Sequence, residues 1–64
     1  MNKVYKVYGK IAGIGFSDPA VFERWEQVEK FMYFQRFNAT SFIVTDKSGK
    51  IIEEVKSEDL AYED

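Results

Sequence analysis

The 64-residue chain contains neither cysteine nor histidine, and each absence removes a class of function. Without cysteine, the chain can form no disulfide, no thiolate zinc site and no thiol nucleophile. Without histidine, it lacks the commonest general base and the commonest metal ligand in proteins. We therefore expect a protein that is not an enzyme and that holds no metal or other cofactor.

A long apolar run and a net positive charge are also missing. No run approaches the roughly 20 residues of a membrane span, and no apolar region follows the early lysines as in a signal peptide. Together with the missing cysteine, this favours the cytoplasm and no membrane partner. Nine Lys and Arg residues face eleven Asp and Glu residues. Since nucleic-acid-binding domains usually carry a basic excess, this balance favours a protein as partner.

What the chain does have is aromatic side chains, with one Trp, four Tyr and six Phe. A domain of this size buries only about 60% of the surface that its unfolded chain exposes. Because disulfides are absent, its support must come from dense aromatic packing or from a second chain. The composition is compatible with either source of stability.

The first third of the chain has the alternation of a β-strand. From Tyr5 to Ile11 the odd-numbered residues are typical of a core face, and the even-numbered ones point the other way. Gly9 can open a type II′ turn, which predicts a hairpin of residues 3–8 with residues 11–16. Alternatively, Gly9 marks a bulge within one long strand.

A helix is predicted next. The side chain of Ser17 or Asp18 can accept hydrogen bonds from the unpaired amides at the start of a helix, and Pro19 suits the first turn. The predicted helix ends near Arg36 or Phe37, with Asn38 as its cap. Its narrow apolar face, with Phe31 on one shoulder, consists of Val21, Trp25, Val28 and Met32.

A second hairpin is predicted to follow. Residues 40–45 are rich in β-forming side chains, residues 46–49 have the composition of a turn that closes with a glycine bulge, and residues 50–55 return. Residues 57–64 are an acidic tail that we expect to fray, although Leu60 and Tyr62 could dock a helical turn. The pattern ββαββ, or βαββ, predicts one α+β domain over residues 1–56. This is a small two-layer domain with one helix packed on one face of an antiparallel sheet.

Two segments resemble chemical motifs only weakly. The glycine-rich residues 9–15 precede the predicted helix, but four residues separate them from it and Asp18 would repel a phosphate. Glu53 and Glu54 are neighbours on a strand and point to opposite faces, so they cannot converge for acid–base catalysis. Both segments are better interpreted as a turn and a solvated edge.

The segment Phe31–Phe37 is apolar almost all the way round the predicted helix. Because a helix on a two-layer domain buries only one stripe, some of these rings should remain exposed and meet a partner. The alternative is that they close the core, and the sequence supports both interpretations equally. The candidate partner-binding residues are Tyr33, Phe34, Arg36, Phe37 and Phe22, whose types are enriched at interface hot spots.

A second candidate surface lies on the first strand, where Lys6, Tyr8 and Lys10 share one face. Lysines that alternate with an aromatic ring suit stacking and phosphate contacts on a single-stranded nucleic acid. The alternative is that the lysines keep an exposed strand soluble. A third hypothesis is a homodimer with a scaffolding role.

The sequence thus predicts a non-enzymatic protein-binding module, with acidic residues that steer it toward a basic partner surface. Its size and missing catalytic chemistry give it a general likeness to small proteins encoded by bacteriophages or mobile elements. That likeness implies an inhibitor or antitoxin-like factor that occludes a host protein, in the host cytoplasm if phage-encoded. Nucleic-acid binding through the Lys–Tyr face and homodimerisation are the alternative functions.

Overall fold

The structure, a computed structural model, describes residues 4–60. It has an antiparallel sheet and one α-helix, which confirms the predicted α+β domain. The elements, in chain order, are β1 (Tyr5–Ile11), β2 (Gly15–Phe16), β3 (Ala20–Phe22), α1 (Trp25–Phe34), β4 (Ser41–Thr45), β5 (Ile51–Lys56) and a 3-10 helix (Ser57–Leu60). Four of the described strands follow the spatial order β2–β1–β4–β5, and β3 also pairs with β1.

The first hairpin exists, but its turn lies three residues beyond the predicted one. The chain reverses at residues 12–14, where Gly13 has φ +82°, and Gly15 follows with φ +117°. Such angles are strained for residues with a side chain, so these glycines, and not Gly9, supply the turn. The prediction of a turn at Gly9 was therefore wrong, as was its pairing of residues 3–8 with residues 11–16.

Gly9 lies in the middle of β1, at a position where two neighbouring side chains leave little space for a Cβ atom. A Cβ placed there would be 3.3 Å from the Cβ of Ala39 and 3.4 Å from the ring of Phe42. The β1–β4 ladder passes Gly9 without a shift in register, so the alternative prediction of a bulge in β1 was also wrong. The irregularity in pairing lies instead in the segment from β2 to β3, which runs antiparallel to β1. Its pairing with β1 shifts by one residue between β2 and β3.

The predicted helix start at residues 17–19 was also wrong, because these residues connect β2 to β3. Ser17 accepts a hydrogen bond on its Oγ from the amide of Gly9 (3.0 Å) and donates its own amide to the Gly9 carbonyl (2.8 Å). Pro19 then leads into β3, and the helix begins only at Trp25. Val21, assigned to the apolar helix face by the sequence pattern, is a strand residue that is 56% exposed.

The helix start is stabilised by Gln27, whose Oε1 accepts a hydrogen bond from the backbone amide of Arg24 (3.2 Å). This is one half of a capping box and satisfies an amide that has no partner within the helix. The helix ends at Phe34 with Gln35 as its C-cap, earlier than the predicted end near Phe37. Asn38, the predicted cap, lies in the following turn.

The core lies between α1 and one face of the sheet. Trp25 and Phe31 pack against its edge, as the helical pattern predicted. The odd-numbered core face predicted for β1 is also confirmed at its centre, since Val7 and Gly9 are both buried. The fully enclosed hydrophobic side chains are Val7, Val28, Met32, Phe42 and Val44.

The second hairpin is confirmed, including its glycine turn. Gly49 has φ +94°, and the β4–β5 register shifts next to Thr45. Asp46 organises the turn because its Oδ1 accepts hydrogen bonds from the Ser48 hydroxyl (2.7 Å), the Ser48 amide (2.9 Å) and the Lys50 amide (3.0 Å). These hydrogen bonds lower the pKa of the Asp46 carboxyl below its usual 3.8. The bond from the Ser48 hydroxyl has the largest effect, and the bond from the Lys50 amide has the second largest.

This lowered pKa makes a pH-dependent contribution to stability that can be measured. A carboxyl whose pKa is lower in the folded state stabilises the fold above its unfolded pKa, and the effect is lost as the pH falls through the folded pKa. We expect Asp46→Ala to lower the melting temperature at pH 7, and the difference from wild type to shrink below pH 3.8. Thermal denaturation followed by circular dichroism measures this, with Asp18→Ala as the control. A difference that stays constant with pH would contradict the assignment.

Residues 57–60, at the start of the predicted acidic tail, form the 3-10 helix. Ser57 is buried and donates its hydroxyl to the Ala39 carbonyl (2.6 Å), and Leu60 packs against the core. The rest of the tail, including Tyr62, lies outside the described residues. No helix within residues 4–60 has the length and apolar content that crossing a membrane requires.

Candidate functional site

Four of the five predicted partner-binding residues form one group at the end of α1, which we call the helix-end cluster. It consists of Tyr33, Phe34, Arg36 and Phe37. Tyr33 is 43% exposed, Phe34 is 71% exposed and Phe37 is 82% exposed. The structure therefore places these three rings at the surface, where they are available for contact, and not in the core.

Arg36 connects the two outer rings of the cluster. Its guanidinium carbon lies 3.7 Å from the centroid of the Tyr33 ring and 4.5 Å from that of Phe37. Both distances are within the range of a cation–π contact. The guanidinium also donates to the Tyr33 carbonyl near the helix end, where a positive charge is favourable. Arg36 thus stabilises the helix end and holds the rings in place.

The position of the rings follows from the periodicity of the helix. Val28 and Met32 point into the core, so the side chains of Tyr33 and Phe34 emerge on the outer surface. Their ring centroids are 6.1 Å apart at an interplanar angle of 71°, an edge-to-face contact. The two rings therefore support each other without being removed from water.

Phe22, the fifth predicted residue, occupies a different environment. It lies on β3, is half-buried, and packs against the core with its ring centroid 5.2 Å from that of Phe31. Its contacts are those of a side chain that seals the core edge. The sequence grouped Phe22 with the cluster because it placed residues 19–22 in the helix.

Acidic side chains share the outer face of α1 with the aromatic ones. Glu29 is four residues before Tyr33 and Glu26 is seven residues before it, so all three lie along one line on the helix surface. Both glutamates are exposed. The outer face of α1 therefore has an acidic first half and an aromatic second half.

A shallow groove of about 250 Å³ adjoins the cluster on the side of Phe37. It runs between the chain that follows α1 and the end of β1, and it ends at the hairpin turn. Its lining residues are Ile11, Ala12, Phe37, Asn38, Ala39 and Thr40. The groove gives the cluster a concave border that a protruding side chain of a partner could enter.

The second predicted surface, with Lys6, Tyr8 and Lys10, lies on the sheet face that points away from the helix. This follows from β1, where Val7 and Gly9 are buried against the core and the alternate residues point outward. Residues from the neighbouring strands share this face, and the alternation along β1 alone does not indicate them. Phe16, Ile43, Ile51 and Lys56 lie on the same face, because the strand register pairs them with outward-pointing neighbours.

The two segments that weakly resemble chemical motifs lie on the first hairpin turn and on β5. Within residues 4–60, no group of three acidic side chains could hold a metal ion. Glu53 and Glu54 are exposed and pair with different positions of β4, Val44 and Ile43. They point to opposite faces of the sheet, in agreement with their positions on a strand. Gly13 and Gly15 serve the hairpin turn and do not precede the helix directly.

Comparison of the chain with models of known protein families, with curated proteins and with solved structures finds no match. The function is therefore inferred from the surface itself.

Proposed function

We propose that this chain is a non-enzymatic protein-binding module whose partner docks on the helix-end cluster. The observation that carries the proposal is the exposure of Phe34 and Phe37, at 71% and 82%, beside the half-exposed Tyr33. Three adjacent aromatic rings on the surface of so small a domain are typical of an interaction site.

The energetic reason is the cost of leaving these rings in water. Burial of one large side chain contributes about 1.5–3 kcal/mol, whereas a core of this size supplies only about 3–5 kcal/mol in total. Two exposed phenylalanines therefore forgo an amount comparable with the stability of the whole domain. A partner that covers them would recover it as binding energy.

The chemistry of the cluster also suits a protein partner. Tyr, Phe and Arg are enriched at interface cores, and Tyr and Arg are common among hot spots. Arg36 is already held between two rings, so little side-chain freedom remains to be lost on binding. The charges of Glu26 and Glu29 would steer the cluster toward a basic surface. By covering that surface the module would act as an inhibitor, in keeping with a phage-type origin.

The proposal is tested with a tagged protein and a double variant, Tyr33→Ala with Phe34→Ala. Affinity capture from a bacterial lysate identifies a stoichiometric partner, and the purified pair then gives the dissociation constant. Since one hot-spot residue contributes at least about 2 kcal/mol, or 30-fold, we expect the double variant to lose essentially all binding. Ile14→Ala is the matched control, because Ile14 is 80% exposed but lies in the β1–β2 turn.

Three outcomes would count against the proposal. If the double variant no longer unfolds cooperatively, the rings belong to the structural core. If it binds the partner like the wild type, the docking surface lies elsewhere. Light scattering of the purified protein supplies the third test, because a dimer that the double variant converts to a monomer would assign the cluster to self-association.

A further inference from the structure

The sheet face opposite the helix, which we call the open face, has an ordered arrangement of side chains. Directly paired residues of an antiparallel sheet point to the same face, so the register defines rows across the strands. One row reads Phe16, Lys10, Ser41, Lys56. The next row reads Tyr8, Ile43, Glu54, and the third row reads Val21, Lys6, Thr45, Ile51.

A groove of about 370 Å³ crosses this face diagonally from Phe16 to Ile51. Phe16 is 54% exposed and Ile51 is 59% exposed. No described residue covers the groove, because α1 and the 3-10 helix both pack on the other side of the sheet. Its lining is mostly apolar and consists of Tyr8, Phe16, Ile43, Thr45, Gly49 and Ile51.

Positive charge is concentrated on the open face, although the chain as a whole is acidic. Its rows contain three lysines, Lys6, Lys10 and Lys56, and one acidic residue, Glu54. The whole chain carries a net charge of −2. The charges are therefore segregated, with the lysines beside the groove and the acidic excess elsewhere.

Two aromatic rings stand among these lysines at a useful spacing. Phe16 is directly opposite Lys10, and Tyr8 is two residues before Lys10 on the same face. Tyr8 and Phe16 are therefore diagonal neighbours across two strands, with Cα atoms about 7–8 Å apart. Such a pair can stack two successive bases of an extended strand, since stacking on aromatic side chains requires only the flat face of each base.

We propose that the open face binds single-stranded nucleic acid, with Tyr8 and Phe16 stacking on bases and Lys6, Lys10 and Lys56 contacting phosphates. This site is separate from the helix-end cluster and does not depend on the function proposed for that cluster. Charge decides against a second copy of the chain as the occupant. A symmetric contact would bring three lysines toward three lysines, with only one glutamate from each copy to compensate.

Fluorescence anisotropy with labelled oligothymidylate and oligouridylate of about 15 nucleotides tests the proposal directly. If three phosphates are neutralised, the double-logarithmic dependence of affinity on salt should have a slope of about −2. Binding should then weaken about 15- to 20-fold between about 50 and 200 mM salt. A duplex of the same sequence should bind more weakly, because its bases are already stacked and cannot reach the rings.

Single substitutions separate the contributions of rings and charges. Phe16→Ala should weaken binding between about 5-fold and 150-fold, and Lys10→Ala should reduce the salt slope by about 0.7. Glu54→Gln should strengthen binding, since it removes the one acidic residue in the three rows. Phe34→Ala, an exposed ring of the helix-end cluster, is the matched control and should leave the affinity unchanged.

The proposal is overturned if neither oligonucleotide binds at about 50 mM salt, or if Phe16→Ala and Lys10→Ala both bind like the wild type. If the duplex binds as tightly as the single strand, base stacking on Tyr8 and Phe16 does not contribute to binding, which contradicts the proposal. Displacement by polyglutamate as effective as displacement by unlabelled oligonucleotide would assign the face to acidic polypeptides instead. Circular dichroism of every variant verifies that the fold is retained.

Discussion

Replacing Phe42 by alanine is expected to unfold the domain at room temperature. Phe42 is 1% exposed, is among the largest fully buried side chains, and lies on β4 between Gly9 of β1 and Val55 of β5. Truncation of a buried phenylalanine costs about 3–5 kcal/mol, from lost transfer energy and from the cavity that remains. A domain of this size has about that much stability in total, so the folded population should become a minority.

Urea denaturation followed by far-ultraviolet circular dichroism measures this effect. Trp25 provides a second probe, because its ring packs edge-on against Tyr5 (centroids 5.4 Å apart) at the edge of the core. Phe34→Ala is the matched control, since it makes the same chemical change at a side chain that is 71% exposed. We expect it to change the free energy of unfolding by less than about 0.5 kcal/mol. A cooperative Phe42→Ala variant that lost less than about 1 kcal/mol would contradict this core assignment.

The Gly9→Val variant is expected to lose about 1–3 kcal/mol through overpacking, even though valine favours strands. The Cβ alone would lie 3.3 Å from the Ala39 Cβ, and the two added methyl groups need space that Ala39 and Phe42 occupy. Lys10→Val is the matched control, because this neighbouring position points to the open face. It should be tolerated within about 0.5 kcal/mol.

A double-mutant cycle identifies the neighbour that makes Gly9 necessary. Gly9→Ala and Ala39→Gly exchange the position of one methyl group across the contact. If the close approach of the two Cβ positions is the reason, the double variant should be more stable than the sum of the single variants indicates, by at least about 0.5 kcal/mol. Additive effects would show that the glycine serves some other constraint on β1.

The wrong predictions have a common physical origin. In each case the local preference of a short segment competes with a contact that the same segment makes to a distant part of the chain. Ser17, Asp18 and Pro19 have the chemistry of a helix start, and that chemistry is local. In the fold, the hydroxyl and the amide of Ser17 form hydrogen bonds with the backbone of Gly9 instead. Without them, the amide and the carbonyl of Gly9 at this edge of β1 would lose their partners. Because β2 and β3 on both sides of Ser17 also pair with β1, the helix begins only at Trp25.

Gly9 was misjudged for a related reason. A glycine followed by a polar residue satisfies the rule for a two-residue turn. The approach of Ala39 and Phe42 to its backbone depends on residues about 30 positions later in the chain, so no local pattern indicates it. Gly13 and Gly15, which do have positive φ, lie only a few residues later. Two neighbouring segments, one at Gly9 and one at Gly13, have the composition of a turn. Because Gly9 packs against the core face, the chain reverses at Gly13.

By itself the sequence determined the α+β class, the second hairpin with its turn at residues 46–49, the core face of β1 and the helical stripe from Trp25 to Met32. These features depend on alternation, helical periodicity and turn chemistry, which act between residues close in the chain. Only the tertiary structure decided which apolar residues face water. It separated Phe22 from the exposed rings at the end of α1, and it brought Phe16, Tyr8 and Lys56 onto one face. Such groupings depend on strand register and on which side of the sheet the helix covers, and both are set by contacts between distant parts of the chain.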